Sequence, residues 1–429
     1  MSEKEFMGHR LMERRLEEEL PGEAELFHVL GGRELHLDEV LTRAGGIRRK
    51  RQTTRGLVAA AAVVALVAPA GVVLAHRESA SGPAPLVQPT TSTSTGPSPT
   101  PTVDPSVERP ISLAALAGEP VGPPPATGYV DNDVWHDPDG STTDQSFTPY
   151  GMLDAAPIGE DLLIRTGAEQ TGDPTAILVH RGSRNTVTHS WPISGGFATS
   201  VGGNVVAFAK PDGTPVVVQD GGSQWYTMPK VPAGAEVAAV RGEDCKEQSP
   251  GSGGCTVFLN SLGNQPKTWL STSHGLVDAA SAHIRSIAGV SAAGLVAGIS
   301  EHHADLTTCS EVRGTDDQLV WRTCDNRFES FSPDGSRLLA TNGIGDGLGD
   351  TQLDVFDARS GDPVVRYRVA DGGAITWMRW EDDSHVLAVV FDQGVWGIVR
   401  VGLDGHVEVA VPPVKANGDP VNSPFLLPR

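Results

Sequence analysis

The longest apolar stretch of the chain runs from Gly56 to Ala75, where twenty consecutive residues carry no charge. As a helix this run would be about 30 Å long, which matches the hydrocarbon core of a bilayer. The basic cluster Arg48–Arg51 precedes the run, and little positive charge follows it. Because basic flanks stay in the cytoplasm, the pattern predicts a single transmembrane helix over residues 56–76, with the C-terminal part of the chain outside.

Two other interpretations of this run stay open. The sequence Val73-Leu74-Ala75 fits the small-residue pattern of a signal-peptide cleavage site. A signal peptide, however, has an apolar core of about 7–15 residues after a short basic region, and here 55 residues precede a longer run. The second alternative is a buried helix of a soluble domain. The anchor is the favoured interpretation because of the length of the run and its basic flank.

The segments on either side of the predicted anchor differ in composition. Residues 1–55 contain an amphipathic stripe and equal numbers of acidic and basic residues, which predicts a cytoplasmic tail that is helical or disordered. Residues 77–126 are rich in Pro, Ser and Thr and have little to bury. This composition predicts a disordered linker that holds the following domain away from the membrane.

Residues 127–429 show short alternating apolar runs separated by Gly, Asp, Asn and Pro turns, which predicts a mainly β domain. The clearest unit is Phe328–Val369, with four strand-like runs and the tight turn Ser332–Gly335. The segment Thr376–Val411 repeats the same order. Four strands in about 45 residues are typical of one blade of a β-propeller.

Weaker copies of this unit precede the two clear ones. They are traced over Gly151–Trp191, Phe197–Tyr226, Val237–Leu270 and Ile284–Thr323. Two strand-like pieces remain, Tyr129–Phe147 and Val421–Leu427, and we expect them to combine into one closing blade. Closing the ring removes exposed sheet edges. Seven blades are therefore favoured, with six as the alternative.

The run from Phe331 to Leu338, Phe-Ser-Pro-Asp-Gly-Ser-Arg-Leu, resembles the blade motif of WD40-like and TolB-type propellers. The overall plan resembles membrane-anchored propeller proteins of high-GC Gram-positive bacteria. The chain lacks the Gly-His and Trp-Asp signature of true WD40 repeats. The resemblance implies an interaction or ligand-binding scaffold, generally without catalysis, and it transfers no catalytic residue.

Charge and cysteine content restrict the predicted outside domain further. After residue 55 the chain has 42 acidic and 22 basic residues, which argues against nucleic-acid binding. The four cysteines, all in this part, suit an oxidising compartment and allow three pairings. The local pairs Cys245–Cys255 and Cys309–Cys324 are expected, the second one linking the outer two strands of its blade.

Candidate chemistry is sparse. The sequence has no nucleophile elbow, phosphate-binding loop or His-Glu-x-x-His zinc motif, so no catalytic residue and no cofactor are predicted. Asp346, Asp350 and Asp354 are weak candidates for calcium ligands, but a long Gly-rich hairpin explains this loop more simply. His302 and His303, beside Glu301 and Asp305, suggest a solvated loop more than a metal site. The eight tryptophans suit packing between blades, with carbohydrate stacking as the alternative.

These features together predict a non-enzymatic, single-pass membrane protein with its propeller outside the membrane. We expect a monomeric outer domain that binds a protein or a cell-envelope ligand. The first alternative is transmembrane signalling, in which the tail binds a regulator in the manner of anti-sigma factors and the propeller acts as a sensor. The second alternative is an extracytoplasmic hydrolase or lyase built on the propeller.

Overall fold

The computed structural model describes residues 104–144, 152–167, 174–181, 186–246, 254–261, 266–303, 306–343, 349–416 and 423–429. The chain divides into two units, Met1–Ser94 and Thr95–Arg429, and every described residue belongs to the second. The predicted tail and the run Gly56–Ala75 therefore lie outside the described residues. Within the described ranges, no helix has the length and apolar character needed to cross a membrane.

The described residues form β-strands throughout. In chain order these strands are β1 (Glu108–Ile111), β2 (Tyr129–Asp131), β3 (Val134–His136), β4 (Thr142–Asp144), β5 (Met152–Ile158), β6 (Asp161–Thr166), β7 (Thr175–His180), β8 (Thr186–Pro192), β9 (Ser194–Thr199), β10 (Val205–Ala209), β11 (Pro215–Gln219), β12 (Gln224–Thr227), β13 (Ala235–Arg241), β14 (Thr256–Ser261), β15 (Lys267–Thr272), β16 (Val277–Ala279), β17 (Ser286–Val290), β18 (Val296–His302), β19 (Thr308–Arg313), β20 (Leu319–Thr323), β21 (Asn326–Phe331), β22 (Arg337–Asn342), β23 (Gln352–Asp357), β24 (Pro363–Val369), β25 (Ala374–Trp380), β26 (His385–Asp392), β27 (Val395–Gly402), β28 (Val407–Lys415) and β29 (Phe425–Leu426).

Strands β2 to β29 build seven antiparallel sheets of four strands each, which we number as blades 1 to 7, and β1 adds a fifth, parallel strand to one of them. Blade 1 consists of β29 and β2–β4, and blades 2 to 7 take β5–β8, β9–β12, β13–β16, β17–β20, β21–β24 and β25–β28. The fold is a seven-bladed β-propeller. The prediction of a mainly β domain with seven blades is confirmed, and the six-bladed alternative is wrong.

The middle strands of the blades are apolar on both faces because each sheet is covered by a neighbour on either side. Every residue of β10 and β11 is buried, including the polar Gln219. Val206 and Phe208 of β10 pack with Leu163 of blade 2, whereas Val205 and Ala207 pack with residues of blade 4. Alternate residues of one strand therefore join two different inter-blade cores.

Blade 1 closes the ring with strands from both ends of the domain. β29 pairs with β2 in the register Val130 to Leu426 and Asp131 to Phe425. Phe425 is buried in a core that contains Trp396 of blade 7, and its ring meets Tyr129 edge-on. The predicted combination of Tyr129–Phe147 and Val421–Leu427 into one closing blade is confirmed by this pairing.

The structured part of the chain begins earlier than the predicted linker boundary at residue 126. A disordered linker was expected over residues 77–126, but residues 104–126, which we call the strap, pack on the blades. β1 pairs in parallel with β24 as a fifth strand of blade 6, and the buried Ile111 and Leu113 join the core between blades 6 and 7. β1 has only four residues and follows a proline-rich segment, so the sequence pattern did not indicate a strand there. The rest of the predicted linker lies outside the described residues.

Both expected disulfides are present. Cys245 and Cys255 link the end of β13 to the start of β14 in blade 4. Cys309 lies on β19 and pairs with Cys324, which follows β20 directly. The second disulfide therefore joins the outer two strands of blade 5, as the sequence predicts.

Candidate binding site at the centre of the ring

The innermost strands of the blades surround the axis of a propeller, and here the last residues of the chain lie among them. The backbone N–H of Arg429 donates to the carbonyl oxygen of Ala155 on β5, at 2.9 Å. The carbonyl oxygen of Arg429 accepts from the Thr199 hydroxyl on β9, and the Arg379 guanidinium on β25 donates to the carbonyl oxygen of Pro428. Contacts to blades 2, 3 and 7 place Pro428 and Arg429 at the centre of the ring.

A buried carboxylate lies next to this segment. The Asp154 side chain on β5 is only 1% exposed. It accepts from the backbone N–H groups of Ala155 at 3.0 Å and Phe197 at 3.3 Å. Burial raises the pKa of Asp154, while the positive charges of Arg429 and Arg165 act in the opposite direction. Asp154 and Arg165 are direct cross-strand partners, so they lie on the same face of blade 2.

Two further guanidinium groups surround Asp154. The Nε atom of Arg429 lies 3.6 Å from a carboxylate oxygen of Asp154, and half of the Arg429 side chain stays exposed. The Arg429 guanidinium also lies 5.9 Å from the ring centre of Trp377, within cation–π range. Burial lowers the pKa of Arg379 to about 10, and Asp154 partly opposes this shift. Arg379 therefore keeps its positive charge at neutral pH.

Two glycines at the start of β9 make room for neighbouring side chains, and one of them adjoins Asp154 and Arg429. Gly195 has φ +71°, and a Cβ on it would collide with Glu236 of the next blade. A Cβ on Gly196 would lie 2.8 Å from an Asp154 carboxylate oxygen and 3.7 Å from the Arg429 guanidinium carbon. Any larger residue at Gly196 would therefore push apart the pair of Asp154 and Arg429.

The chemical character of this central site follows from its members. The charges of Arg429 and Arg165 act on the buried carboxylate of Asp154, and the charge of Asp154 acts on Arg379. Because guanidinium groups carry several N–H donors and stay protonated, they offer hydrogen bonds without exchanging protons. With the partly exposed indole of Trp377 beside Arg429, the site is suited to binding.

The two described calcium candidates, Asp350 and Asp354, lie elsewhere, in blade 6. Asp346 lies outside the described residues. Asp350 forms an ion pair with Arg327 at 3.0 Å, and Asp354 forms one with Arg366 at 2.9 Å. Asp354 also accepts from the side-chain amide of Asn326 at 2.7 Å, and burial raises its pKa. In the structure a guanidinium group supplies the countercharge at both described carboxylates.

A second group of possible ligands lies in blade 5. One ligand atom each from Glu301, His303 and Cys309 lies within 4.8 Å of the others. The sulfur of Cys309 is bonded to Cys324 and therefore has no thiolate to offer a metal. Glu301 forms an ion pair with Arg322 at 2.7 Å. His302 is exposed, and Asp305 lies outside the described residues.

The central residues were not singled out from the sequence, although two signals point to them. Asp154 interrupts a strand whose other buried positions are apolar, and an acidic residue at such a position needs a partner. Arg379 lies between Trp377 and Trp380 on the innermost strand of blade 7. The partner of Asp154, Arg429, lies 275 positions along the chain, so no local pattern connects them.

The chain was compared with known families, curated proteins and solved structures. No family model and no curated protein matches. Similar solved structures include the β-propeller domain of Cps50 (Swd1) from Myceliophteria thermophila, at 9% identity and a TM-score of 0.40, covering 62% of this chain and 86% of that one. A functionally unknown protein from Desulfotomaculum acetoxidans has 10% identity and a TM-score of 0.42, and the match covers 70% of this chain and 98% of that one. Puromycin hydrolase has 12% identity and a TM-score of 0.43, and the match covers 63% of this chain and 48% of that one. The propeller assignment rests on the strand pairing described above.

Proposed function

We propose that this chain is a membrane-anchored binding scaffold whose propeller captures a ligand or a protein partner outside the membrane without catalysing a reaction. The observation that carries the proposal is the convergence of charged and aromatic groups at the centre of the ring. Blades 2, 3 and 7 and the residues Pro428 and Arg429 all contribute to it. Because these groups come from separate blades, the site forms only when the ring is closed, and this supports the proposal.

Binding is favoured over catalysis by the protonation behaviour of the central groups. Arg379 is not a general base at neutral pH, because its guanidinium group remains protonated there. Asp154 could accept a proton, but it is buried and already accepts two backbone hydrogen bonds. The central site therefore supplies fixed donors and an aromatic face, which are the elements of recognition.

The anchor part of the proposal rests on the sequence of Gly56–Ala75. It is tested by expressing the full chain and a variant that lacks residues 56–75, followed by carbonate extraction of membranes. We expect the full chain to remain in the membrane pellet and the deletion variant to be released. Extraction of the full chain with the peripheral proteins would contradict the anchor and would leave the binding proposal to be judged separately.

The binding part is tested by site-specific photocrosslinking in membranes. A photoreactive amino acid replaces Arg429, whose side chain is half exposed at the centre. The matched control carries the same residue at Leu276, which is 55% exposed on a turn of blade 4. We expect adducts of defined mass from position 429 and none of that mass from position 276. Identical adduct patterns from both positions would refute a binding site at the centre.

A further inference from the structure

The outer strands of blades 2 and 3 bring three aromatic side chains together. His189 and Trp191 lie on β8, and Trp225 lies on β12 of the next blade. The rings of His189 and Trp191 are stacked, with centroids 5.4 Å apart. The ring of Trp225 meets Trp191 edge-on, with centroids 6.0 Å apart. We call His189, Trp191 and Trp225 the aromatic cleft.

The three side chains differ in exposure: one is buried and two are exposed. Trp191 is buried and packs against Phe208 of blade 3, with ring centroids 5.3 Å apart. Trp225 is 42% exposed, and His189 is exposed as well. Because Trp191 contacts both of them, the exposed rings rest on a fixed support. A ligand that stacks on Trp225 would therefore meet a preorganised surface.

The two exposed rings of the cleft, His189 and Trp225, carry polar atoms that a ligand can reach. Within the part of the chain that the structure describes, the ring nitrogens of His189, Trp191 and Trp225 have no hydrogen-bond partner. The exposed Thr227 lies two positions after Trp225 on β12, so its hydroxyl is on the same face of the strand. The cleft therefore combines aromatic faces with several unused donors and acceptors.

The neutral character of the cleft restricts its partner. β8 and β12 contain no Asp, Glu, Lys or Arg, although the chain after residue 55 carries 42 acidic and 22 basic residues. A charged ligand would find no counter-ion on either strand, and an entirely apolar ligand would leave the ring nitrogens without partners. A neutral molecule with apolar faces and hydroxyl edges fits both conditions.

We propose that the aromatic cleft binds a neutral oligosaccharide. The apolar face of one pyranose ring stacks on the indole of Trp225, and the hydroxyl groups of the sugar bond to His189 and Thr227. This site lies at the outer strands of the blades, away from the central site. It stands independently of the anchor and of any ligand bound at the centre of the ring.

The proposal is tested on the purified full-length chain in detergent by isothermal titration calorimetry and tryptophan fluorescence. The probes are neutral tetrasaccharides with glucose, mannose, galactose and N-acetylglucosamine backbones. We expect at least one of them to bind and to change the fluorescence. We expect Trp225→Ala to weaken that binding about tenfold or more, because the stacking face is lost. Trp225→Phe keeps an aromatic face but lacks the indole N–H, so its affinity for the sugar should fall less than that of Trp225→Ala.

Two controls separate recognition from damage to the fold. Leu276→Ala removes an apolar side chain of blade 4 that is 55% exposed, against 42% for Trp225, and should leave binding unchanged. His189→Ala should weaken binding while the melting temperature stays close to that of the unmodified chain. The proposal is refuted if none of the four probes binds at about 10 mM. It is also refuted if Trp225→Ala binds the active probe as tightly as the unmodified chain does.

Discussion

Removal of the Phe425 side chain should open the ring at blade 1 before the rest of the domain unfolds. Phe425 is fully buried and packs with Trp396 and Leu387 of blade 7 and with Leu427. Its ring also meets Tyr129 of blade 1 edge-on at 6.4 Å. β29 has only two residues, so the side chain of Phe425 holds the closing strand more than the hydrogen bonds of that strand do.

The loss of stability expected for Phe425→Ala follows from the complete burial of the Phe425 side chain. Truncation of a buried Phe to Ala costs about 3–5 kcal/mol through lost transfer energy and the cavity that remains. The neighbours of Phe425 belong to two blades with their own hydrogen-bond networks, so they cannot collapse into the cavity. We therefore expect a loss near the upper end of this range, which is a large part of the ~5–15 kcal/mol stability typical of a protein.

The assay is hydrogen exchange combined with urea unfolding of Phe425→Ala. Phe258→Ala is the matched control, because Phe258 is also buried but lies on β14, away from the closure. We expect the amides of β2 and β3 to lose protection in Phe425→Ala well below the unfolding midpoint, and to keep it in Phe258→Ala. If both variants lose the same stability and blade 1 stays protected in each, the Phe425 side chain does not hold the closing strand in place.

Three other perturbations test separate parts of the fold. Replacing Cys309 and Cys324 with Ser should cost about 3 kcal/mol, the entropy of a loop with a sequence separation of 15. The melting temperature of the variant should depend on reductant less than that of the unmodified chain, because only Cys245–Cys255 remains to be reduced. Asp154→Asn should flatten the pH dependence of stability. A raised pKa makes the folded state bind its proton more tightly, so stability falls as pH rises above the ordinary value of 3.8, and urea titrations between pH 4 and 8 measure this. Arg400→Ala should cost about 3–5 kcal/mol, because buried Glu381 loses its partner, and the strap should become sensitive to limited proteolysis, unlike in the exposed control Arg359→Ala.

The fold could be predicted from the sequence because propeller blades are local. The four strands of a blade follow one another, so the turn Ser332–Gly335 and the runs around it reveal a whole sheet without long-range information. The disulfides were predictable for the same reason, since each one closes a short loop. β1 was not predictable, because its partner strand β24 lies about 250 residues later in the chain. In addition, a segment of four residues that includes a proline carries no clear strand pattern.

The residues of the two proposed binding sites could not be picked out from the sequence for a different reason, which is visible in the tryptophans. Trp191 and Trp225 have the same chemistry and both lie on the outermost strand of their blade, yet one is buried and the other is 42% exposed. In a propeller the neighbouring blades cover both faces of each sheet, so alternation along a strand does not separate an inside from an outside. Exposure depends instead on how far the adjacent blade extends over the outer strand. That distance is set by packing between blades, and the same packing brings Asp154 to Arg429 across 275 positions of sequence.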